Sequence, residues 1–510
     1  MRTATYALVA CLLAVSAGLG AGGAVQPDRV IREPAVAGQF YPEDPGRLRA
    51  AVEAFMRASL PARATDPVAI VVPHAGYLFS GQIAADGYRQ VAGLAIETVV
   101  ILGTNHTSGT FRRISVFDGA GYRTPLGVAA IDRPMAEALV RDGGAVFDAS
   151  LHLREHSVEV QVPFVQVVFP HAKIVPVVVG SADRVQASRF ARALAAVAKD
   201  HRVLVVASSD LSHYPPQREA VGLDRATLAG IAAFDASPVE DGAMSGAAAR
   251  VGGLVTRACG AAPILVAMET ARALGANRGT VVSYANSGDT ALGEADRVVG
   301  YGAVVFGRGP AGVDDAAIRS AARDDGGALE PADKRVLVAL ARDTISRYLH
   351  TDTLPLPRGG SARLQREAGV FVTVKKHGEL RGCIGRIAPE GTLIRLVSAM
   401  AFESAFKDPR FPPVTARELG DLEIEVSVLT PMKPVSSPEA IVVGRDGVLL
   451  RARGAAAVFL PQVAPEQGWN RVQLLDHLAE KAGLPASAWR DRQATLLTFQ
   501  ADVFSESSLK

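Results

Sequence analysis

Three histidines stand where short apolar runs of the sequence end. His74, His106 and His213 follow the runs at residues 67–72, 99–102 and 203–206. Apolar, β-branched runs of this length are typical of buried strands. Ligands of open α/β sheets bind beyond the carboxyl ends of the strands, so the three imidazoles are expected to meet at one edge. Imidazoles grouped in this way predict a metal site or an acid/base site.

Cys259 is a further candidate for chemistry. Pro263 suits the first turn of a helix, which would place Cys259 near that helix's N-terminus. The helix dipole there lowers a thiol pKa and favours the thiolate, which binds metals and attacks electrophiles. A single cysteine also packs well as a small buried side chain, and the sequence leaves both interpretations open. Asp210, which lies just before His213, adds a carboxylate to the group.

The segment 151–161 is polar and has helical spacing. Its Glu155 and Glu159 are one turn apart and share a face, and His152 and His156 lie in the same stretch. One interpretation is a solvated helix face. The other makes Glu155 or Glu159 the carboxylate that orients a metal-site histidine.

The elements that must position these residues alternate between strand and helix patterns from residue 32 to 306. This alternation predicts an α/β domain with a mostly parallel sheet. Further strands are predicted at 174–179, 280–282 and 303–306, and helices at 185–199 and 262–274.

Residues 307–330 are rich in Gly, Ala and Asp and predict a linker. Residues 331–505 predict a smaller α+β domain. Its pattern contains an amphipathic helix after Pro331, a hairpin formed by 371–374 and 380–385, and a one-face-buried strand at 422–428. Asp446 and Gly447 predict a hairpin turn between 441–443 and 448–450.

The composition narrows the classes of function. The chain has 510 residues, so two or more domains are expected, and its 48% hydrophobic and 21% charged content is globular. A net charge of +2, without a basic stripe interleaved with aromatics, argues against nucleic acid as a partner. Three cysteines cannot build a disulfide framework.

The first 25 residues read as a secretory signal peptide. Arg2 precedes an apolar stretch that ends in small residues, with cleavage expected near Ala24. An exported, periplasmic protein is therefore predicted, with a membrane contact only if the segment is not cleaved. The alternative is a cytoplasmic protein whose start is misassigned.

Motifs of the first domain resemble the Memo family. They stand in order at residues 37–42, 73–77, 102–106, 155–161, 208–213 and 259–260. The resemblance implies a fold like that of class III non-haem iron dioxygenases. It also implies a metal site formed by two histidines and one cysteine, here His74, His106 and Cys259, with His213 and Asp210 nearby.

The second domain resembles the AMMECR family, also called AmmeMemoRadiSam system protein A. The hallmark is Leu-Arg-Gly-Cys-Ile-Gly at residues 380–385, and the match continues at 405–413, 426–431, 459–463 and 468–469. The family association implies a radical S-adenosylmethionine enzyme as partner. Because such an enzyme carries an iron–sulfur cluster and normally stays in the cytosol, an export signal argues against this partnership.

The leading hypothesis is a metal-dependent oxidoreductase, with dioxygenase-like chemistry on an unidentified small molecule. Iron is the expected metal, and the thiolate leaves copper or zinc as alternatives. His213 and Asp210 are candidate catalytic groups that carry protons. A second hypothesis makes Cys259 a metal-independent nucleophile with His213 as its base, giving hydrolase or transferase chemistry. A third is a non-catalytic protein whose first domain binds a metal or a peptide and whose second domain is an interaction module.

Cys383 is a candidate catalytic thiol of the second domain. It lies between Gly382 and Gly385 in the predicted hairpin. Glycines allow a close approach of the backbone, either to a ligand or to a neighbouring element. The sequence leaves both readings open.

Overall fold

The fold is taken from a computed structural model of the chain. The structure describes residues 30–181, 184–240, 251–308, 327–388 and 390–509. The expected signal peptide lies outside the described residues, and so does most of the expected linker. Among the helices in the described ranges, none combines the length and the apolar character of a membrane span.

The described strands alternate with helices in the first half of the chain. The strands of this half are β1 (Ile31–Arg32), β2 (Ala69–Val72), β3 (Thr98–Thr104), β4 (Ile114–Val116), β5 (Gly121–Thr124), β6 (Gly127–Ala130), β7 (Val146–Phe147), β8 (Lys173–Val179), β9 (Val203–Ser208), β10 (Arg278–Asn286) and β11 (Gly300–Gly307). The helices are α1 (Pro45–Arg57), α2 (Tyr77–Arg89), α3 (Arg133–Gly143), α4 (His156–Glu159), α5 (Val162–Val168), α6 (Arg184–Ala198), α7 (Gln217–Ala232), α8 (Ser237–Glu240) and α9 (Ala261–Ala273).

An eight-stranded sheet organises this half, in the order β10-β11-β2-β9-β3-β8-β4-β7. Its four central strands, β2, β9, β3 and β8, run parallel to one another. Every residue of β2 is buried, as are most residues of the other three, because helices cover both faces of such a sheet. The parallel α/β architecture predicted for residues 32–306 is therefore present, with antiparallel strands added at both edges.

The helix boundaries follow local capping. The Asp44 carboxylate accepts a hydrogen bond from Arg47 N at 2.8 Å, and Pro45 occupies the first turn of α1. Asp132 caps α3 in the same way, and that helix ends at Gly144, whose φ of 75° suits glycine. A separate three-stranded sheet, β1-β5-β6, lies beside the main sheet.

The second half contains two four-stranded antiparallel sheets, β13-β12-β14-β19 and β15-β18-β16-β17. Its strands are β12 (Val370–Lys376), β13 (Glu379–Arg386), β14 (Leu422–Leu429), β15 (Lys433–Pro434), β16 (Gly447–Ala452), β17 (Ala455–Phe459), β18 (Thr495–Phe499) and β19 (Ala501–Ser505). Its helices are α10 (Pro331–Thr351), α11 (Leu393–Phe406), α12 (Val463–Glu466) and α13 (Arg471–Lys481). The predicted hairpin at 371–385, the strand at 422–428 and the helix after Pro331 are all present.

The predicted hairpin turn at Asp446–Gly447 is wrong. Residues 441–443 form no strand, because the Asp446 carboxylate accepts from Val442 N at 2.9 Å and closes a local turn. The hairpin instead joins β16 to β17 through Arg453 and Gly454, whose φ values are 51° and 80°. Two successive residues with positive φ match the turn that two-residue hairpins favour.

Candidate metal centre

The carboxyl ends of the parallel strands bring the predicted residues together. His74 follows β2, Asp210 follows β9 and His106 follows β3, and β9 lies between the other two strands. The Asp210 Oδ1 atom accepts hydrogen bonds from His74 N at 2.8 Å and from Ala75 N at 3.2 Å. This carboxylate therefore ties the end of β2 to the end of β9.

The tautomer of His74 follows from the hydrogen bonds of Ser208. The Ser208 hydroxyl donates to Ser157 O at 2.6 Å and accepts from Gln161 Nε2 at 2.8 Å. The Ser208 oxygen also lies 3.1 Å from His74 Nδ1, and only a lone pair is left for this contact. Nδ1 must therefore be the protonated nitrogen. The lone pair of His74 is thus on Nε2, the atom that faces Cys259.

Glu155 orients His106 in a similar way. Its carboxylate accepts from His106 Nδ1 at 3.0 Å and from His106 N at 2.7 Å. Burial alone would raise the pKa of Glu155, but the hydrogen bonds from His106 and Ser157 lower it to about 2. An ionised carboxylate only accepts, so His106 carries its proton on Nδ1 and presents a lone pair at Nε2.

Glu155 and Glu159 are both fully buried, so the interpretation of a solvated helix face is wrong. Only Glu155 contacts a histidine of the centre. Glu159 pairs with the buried Arg32 and accepts from Tyr41 and from the backbone of Ala35 and Val36. This network anchors residues 32–41, and among them Phe40 packs with its ring centroid 5.0 Å from that of His156.

His156 is the site residue that the strand pattern did not find. Its ring stacks on His106 with centroids 4.5 Å apart, and lies 5.5 Å from the ring of His74. It begins the short helix α4 rather than following a strand, so the signal of a histidine after an apolar run is absent. Its position one residue after Glu155 is the sequence feature that could have pointed to it.

Cys259 reaches the same centre from the residues before α9. Its Sγ lies 3.2 Å from His74 Nε2, and Thr104 donates to its carbonyl at 3.0 Å. The sequence predicted a lowered pKa for the Cys259 thiol, and this prediction is wrong. Burial and then the neighbouring Asp210 carboxylate raise the pKa of Cys259 far above its usual value. Gly260 must be glycine here, since a Cβ atom would lie 2.5 Å from Ser209 Cβ.

Two overlapping groups of ligand atoms result. One is His74, His106 and His156, and the other is His74, Asp210 and Cys259; within each group the atoms lie within 4.8 Å of one another. The predicted set of His74, His106 and Cys259 is thus divided between the two groups, with His74 common to both.

The centre has a closed side and an open side. The His74 side chain is 2% exposed, whereas those of His106 and His156 are 31% and 23% exposed. A ligand from solvent therefore reaches His106 and His156 before it reaches His74.

His213 lies beside the centre, with its backbone between Thr256 and Val299. Burial lowers the pKa of His213 and raises the pKa of Asp210. The Nε2 atom of His213 is buried and has no hydrogen-bond partner among the described residues. A buried polar atom in this condition calls for an ion, a water or a ligand.

The remaining histidines of this half are not part of the centre. His152 is fully buried between Tyr122 OH at 2.7 Å and Ser115 Oγ at 3.1 Å. His171 and His201 are exposed.

Cys383 lies on β13 in the second domain, outside this centre. Its Sγ accepts from Thr373 Oγ1 at 3.4 Å, and its backbone N donates to Asp408 at 2.9 Å. Burial raises the pKa of this thiol. A Cβ at Gly382 would lie 2.0 Å from Ser404 O, and one at Gly385 would lie 2.2 Å from the Phe371 ring. The two glycines therefore serve the packing of α11 and β12 against β13.

The two halves of the chain match two different protein families. The family model described as Memo-like protein matches residues 32–305, and the model described as AMMECR1 matches residues 338–504. A MEMO1 family protein of Aquifex aeolicus is 38% identical over 277 residues, covering 54% of this chain and 99% of that protein. A MEMO1 family protein of Methanopyrus kandleri is 40% identical over 295 residues, with 54% and 99% covered.

Among solved structures, an uncharacterised protein from Pyrococcus horikoshii is 38% identical to this chain. The match covers 34% of this chain and 90% of that one, with a TM-score of 0.33.

Proposed function

Since this chain belongs to the Memo family and also carries an AMMECR1 domain, we propose that its first domain holds one transition metal ion and uses it in redox chemistry on a small molecule. The proposed reaction is an oxygen-dependent oxidation of the type carried out by class III non-haem iron dioxygenases. The observation that carries the proposal is the fixed orientation of two imidazoles, whose Nδ1 protons are both taken by buried acceptors.

The donor set fits a metal better than it fits an isolated polar cluster. His74 and His106 both present unprotonated Nε2 atoms, and each is held by a partner on its other nitrogen. Metal-bound histidines are oriented in this way in most metalloproteins. The buried Nε2 of His213, which lacks a partner among the described residues, is a further sign that a group is needed there.

The softness of the ligand atoms influences which metal ion the centre prefers. Imidazoles suit iron, copper and zinc, and a thiolate favours the softer ions. Bound iron would supply open coordination positions for oxygen and substrate. We propose iron as the native metal, with copper and zinc as alternatives.

The protein side chains would divide the remaining tasks. The partly exposed rings of His106 and His156 would face the entering substrate, while the buried His74 would hold the metal away from solvent. Asp210 Oδ1 is occupied by two backbone N–H groups. Its Oδ2, 4.0 Å from His74 Nε2, would be the atom that takes up and releases a proton during the reaction.

The test is elemental analysis of the purified full chain and of single variants. His74→Ala is expected to abolish bound metal, because His74 belongs to both ligand groups, and His106→Ala is expected to reduce it. His171→Ala, which changes an exposed histidine, is the matched control and should keep the wild-type metal content. Unchanged metal in His74→Ala, His106→Ala and Cys259→Ser together would refute the proposal.

A metal-independent reaction is the second candidate, and one distance favours it. Cys259 Sγ lies 3.2 Å from His74 Nε2, which carries a lone pair and can accept the thiol proton. His74 would then be the base, rather than the predicted His213. Iodoacetamide labelling of Cys259 in the presence of a chelator tests it. Rapid labelling that is lost in His74→Ala, with activity retained under chelation, would favour this candidate over the metal.

The cellular location of the protein determines which partner it could meet. We propose a periplasmic location on the basis of residues 1–25, with a cytoplasmic location as the alternative. A radical S-adenosylmethionine enzyme would be a partner only in the cytoplasm. Fractionation of cells that produce the tagged full chain distinguishes the two locations.

A further inference from the structure

The loop between β10 and β11 connects the candidate metal centre to the second domain. This loop comprises residues 287–299. At its C-terminal end it pairs with the residues around His213: Tyr214 N donates to Val298 O at 2.7 Å, and His213 forms a bridge with Val299. Gly300 N donates to Ser212 O at 2.9 Å immediately afterwards. The backbone of His213 is therefore held by this loop on one side.

The other part of the same loop is held by the second domain. Arg395, in the first turn of α11, donates from Nε to Thr290 O at 3.0 Å and from Nη2 to Gly293 O. Between these two residues, Ala291 is 6% exposed and packs within the hydrophobic core of the second domain. One guanidinium and one methyl group thus fix the tip of a loop that belongs to the first domain.

The loop is closed within itself, so a displacement at its tip is transmitted to its base. Ser287 N donates to Val299 O at 2.9 Å, and the Asp289 carboxylate accepts from Asn286 N and from Gln217 Nε2. A Cβ atom at Gly293 would lie 1.7 Å from Ser287 O. The tip and the base of the loop are therefore in direct contact. A movement at the carbonyls bound by Arg395 would shift the residues that pair with the backbone of His213.

We infer that Arg395 is a positioning residue for the centre in the first domain, acting on His213 through the loop 287–299. The inference rests on the proposed function only for the role of His213, since the contacts themselves involve no metal. Through this contact the second domain would influence the centre of the first, because the backbone that carries the His213 imidazole is held by a loop that Arg395 of α11 fixes.

The inference is tested by amide hydrogen exchange on the metal-free full chain. In Arg395→Ala, exchange at residues 212–214 and 298–300 is expected to accelerate by about tenfold or more, because the loop tip is released. Arg395→Lys, which still donates to carbonyls, should restore most of the protection. Arg47→Ala is the matched control. It removes another interdomain ion pair, with Asp352 at the contact of α1 and α10, and should leave both segments unchanged.

A second readout follows the imidazole itself. Carbethoxylation of His213 by diethyl pyrocarbonate, measured by peptide mass spectrometry, should rise several-fold in Arg395→Ala and return in Arg395→Lys. A response limited to residues 287–295, with unchanged exchange at 212–214 and unchanged His213 labelling, would overturn the inference and leave Arg395 as an interface residue. Because both readouts use metal-free protein, a failure of the metal proposal would not alter them.

Discussion

The Nδ1 atom of His106 donates to the buried carboxylate of Glu155 at 3.0 Å, and the same carboxylate accepts from the His106 backbone at 2.7 Å. One side chain therefore sets the position, the ring orientation and the tautomer of a candidate ligand. Most metal-site histidines depend on a partner of this kind. The relationship makes Glu155 as important to the proposed centre as a ligand.

Glu155→Gln is expected to weaken metal binding by about 10–100-fold without removing a ligand atom. The amide keeps the size of the side chain but loses the charge that holds the His106 proton on Nδ1. Competition with a chromophoric chelator measures the affinity. Glu137→Gln, at an exposed surface pair with Arg133, is the control, and equal losses in both variants would contradict the prediction.

His156→Ala and Cys259→Ser distinguish the two ligand groups. If the three histidines hold the metal, His156→Ala should lose most of it and Cys259→Ser should retain it. The reverse result assigns the metal to His74, Asp210 and Cys259. Cobalt-loaded protein provides an independent readout, since only the second group should give a thiolate charge-transfer band that Cys259→Ser removes.

Arg32→Met is expected to destabilise the first domain by about 3–5 kcal/mol, because it leaves the Glu159 carboxylate buried without its cation. Both side chains of this pair are fully buried. Urea unfolding followed by hydrogen exchange of first-domain peptides gives the free energy. Arg123→Met breaks the exposed pair with Glu33 and should cost no more than about 1 kcal/mol. Similar losses of unfolding free energy in the two variants would contradict the prediction that the buried Arg32–Glu159 pair contributes more to stability.

His152 should make the first domain less stable in mild acid. Burial, and then the positive charge of Arg32, lowers the pKa of His152 from 6.5 to about 3. The neutral form is favoured in the folded state, so this stability is complete above pH 6.5 and is lost as the pH falls toward 3. Between pH 7 and pH 5 the loss is expected to be about 2 kcal/mol.

His152→Gln removes this titration. The difference in unfolding free energy between pH 7 and pH 5 should shrink by that amount in the variant, whatever its stability at pH 7. An unchanged pH dependence would show that His152 does not titrate as described.

Gly382→Ala and Cys383→Ala test the role of the second-domain motif. The alanine at 382 would place a Cβ 2.0 Å from Ser404 O, and should cost about 3 kcal/mol by forcing β13 away from α11. Cys383→Ala should change stability by about 1 kcal/mol or less and leave metal binding in the first domain unaltered. A loss of any measurable activity of the second domain in a well-folded Cys383→Ala protein would restore Cys383 as a catalytic candidate.

Local patterns were sufficient for much of the architecture. The apolar runs ending near His74, His106 and His213 identified three parallel strands, because residues buried on both faces of a sheet must be apolar along their whole length. The resemblance to the Memo and AMMECR families was likewise correct for the two halves. The prediction of a hairpin turn at Asp446–Gly447 was wrong, because a turn-forming pair also suits a local loop that the Asp side chain stabilises.

The thiol of Cys259 shows the limit of arguing from one element. Its place before α9 favoured a low pKa, whereas burial and the carboxylate of Asp210, which follows β9 far away in the sequence, raise it. Helix dipoles act over one turn and are easily exceeded by desolvation and a full negative charge.

The sequence by itself determined which strands end at the site and which ligand types arrive there, because strand burial and residue chemistry are local properties. Only the tertiary structure decided that His156 joins His74 and His106, that Glu155 rather than Glu159 orients a ligand, and that Arg395 contacts the loop behind His213. These contacts join residues far apart in the chain, and side-chain distances and hydrogen-bond partners exist only once the layers have packed.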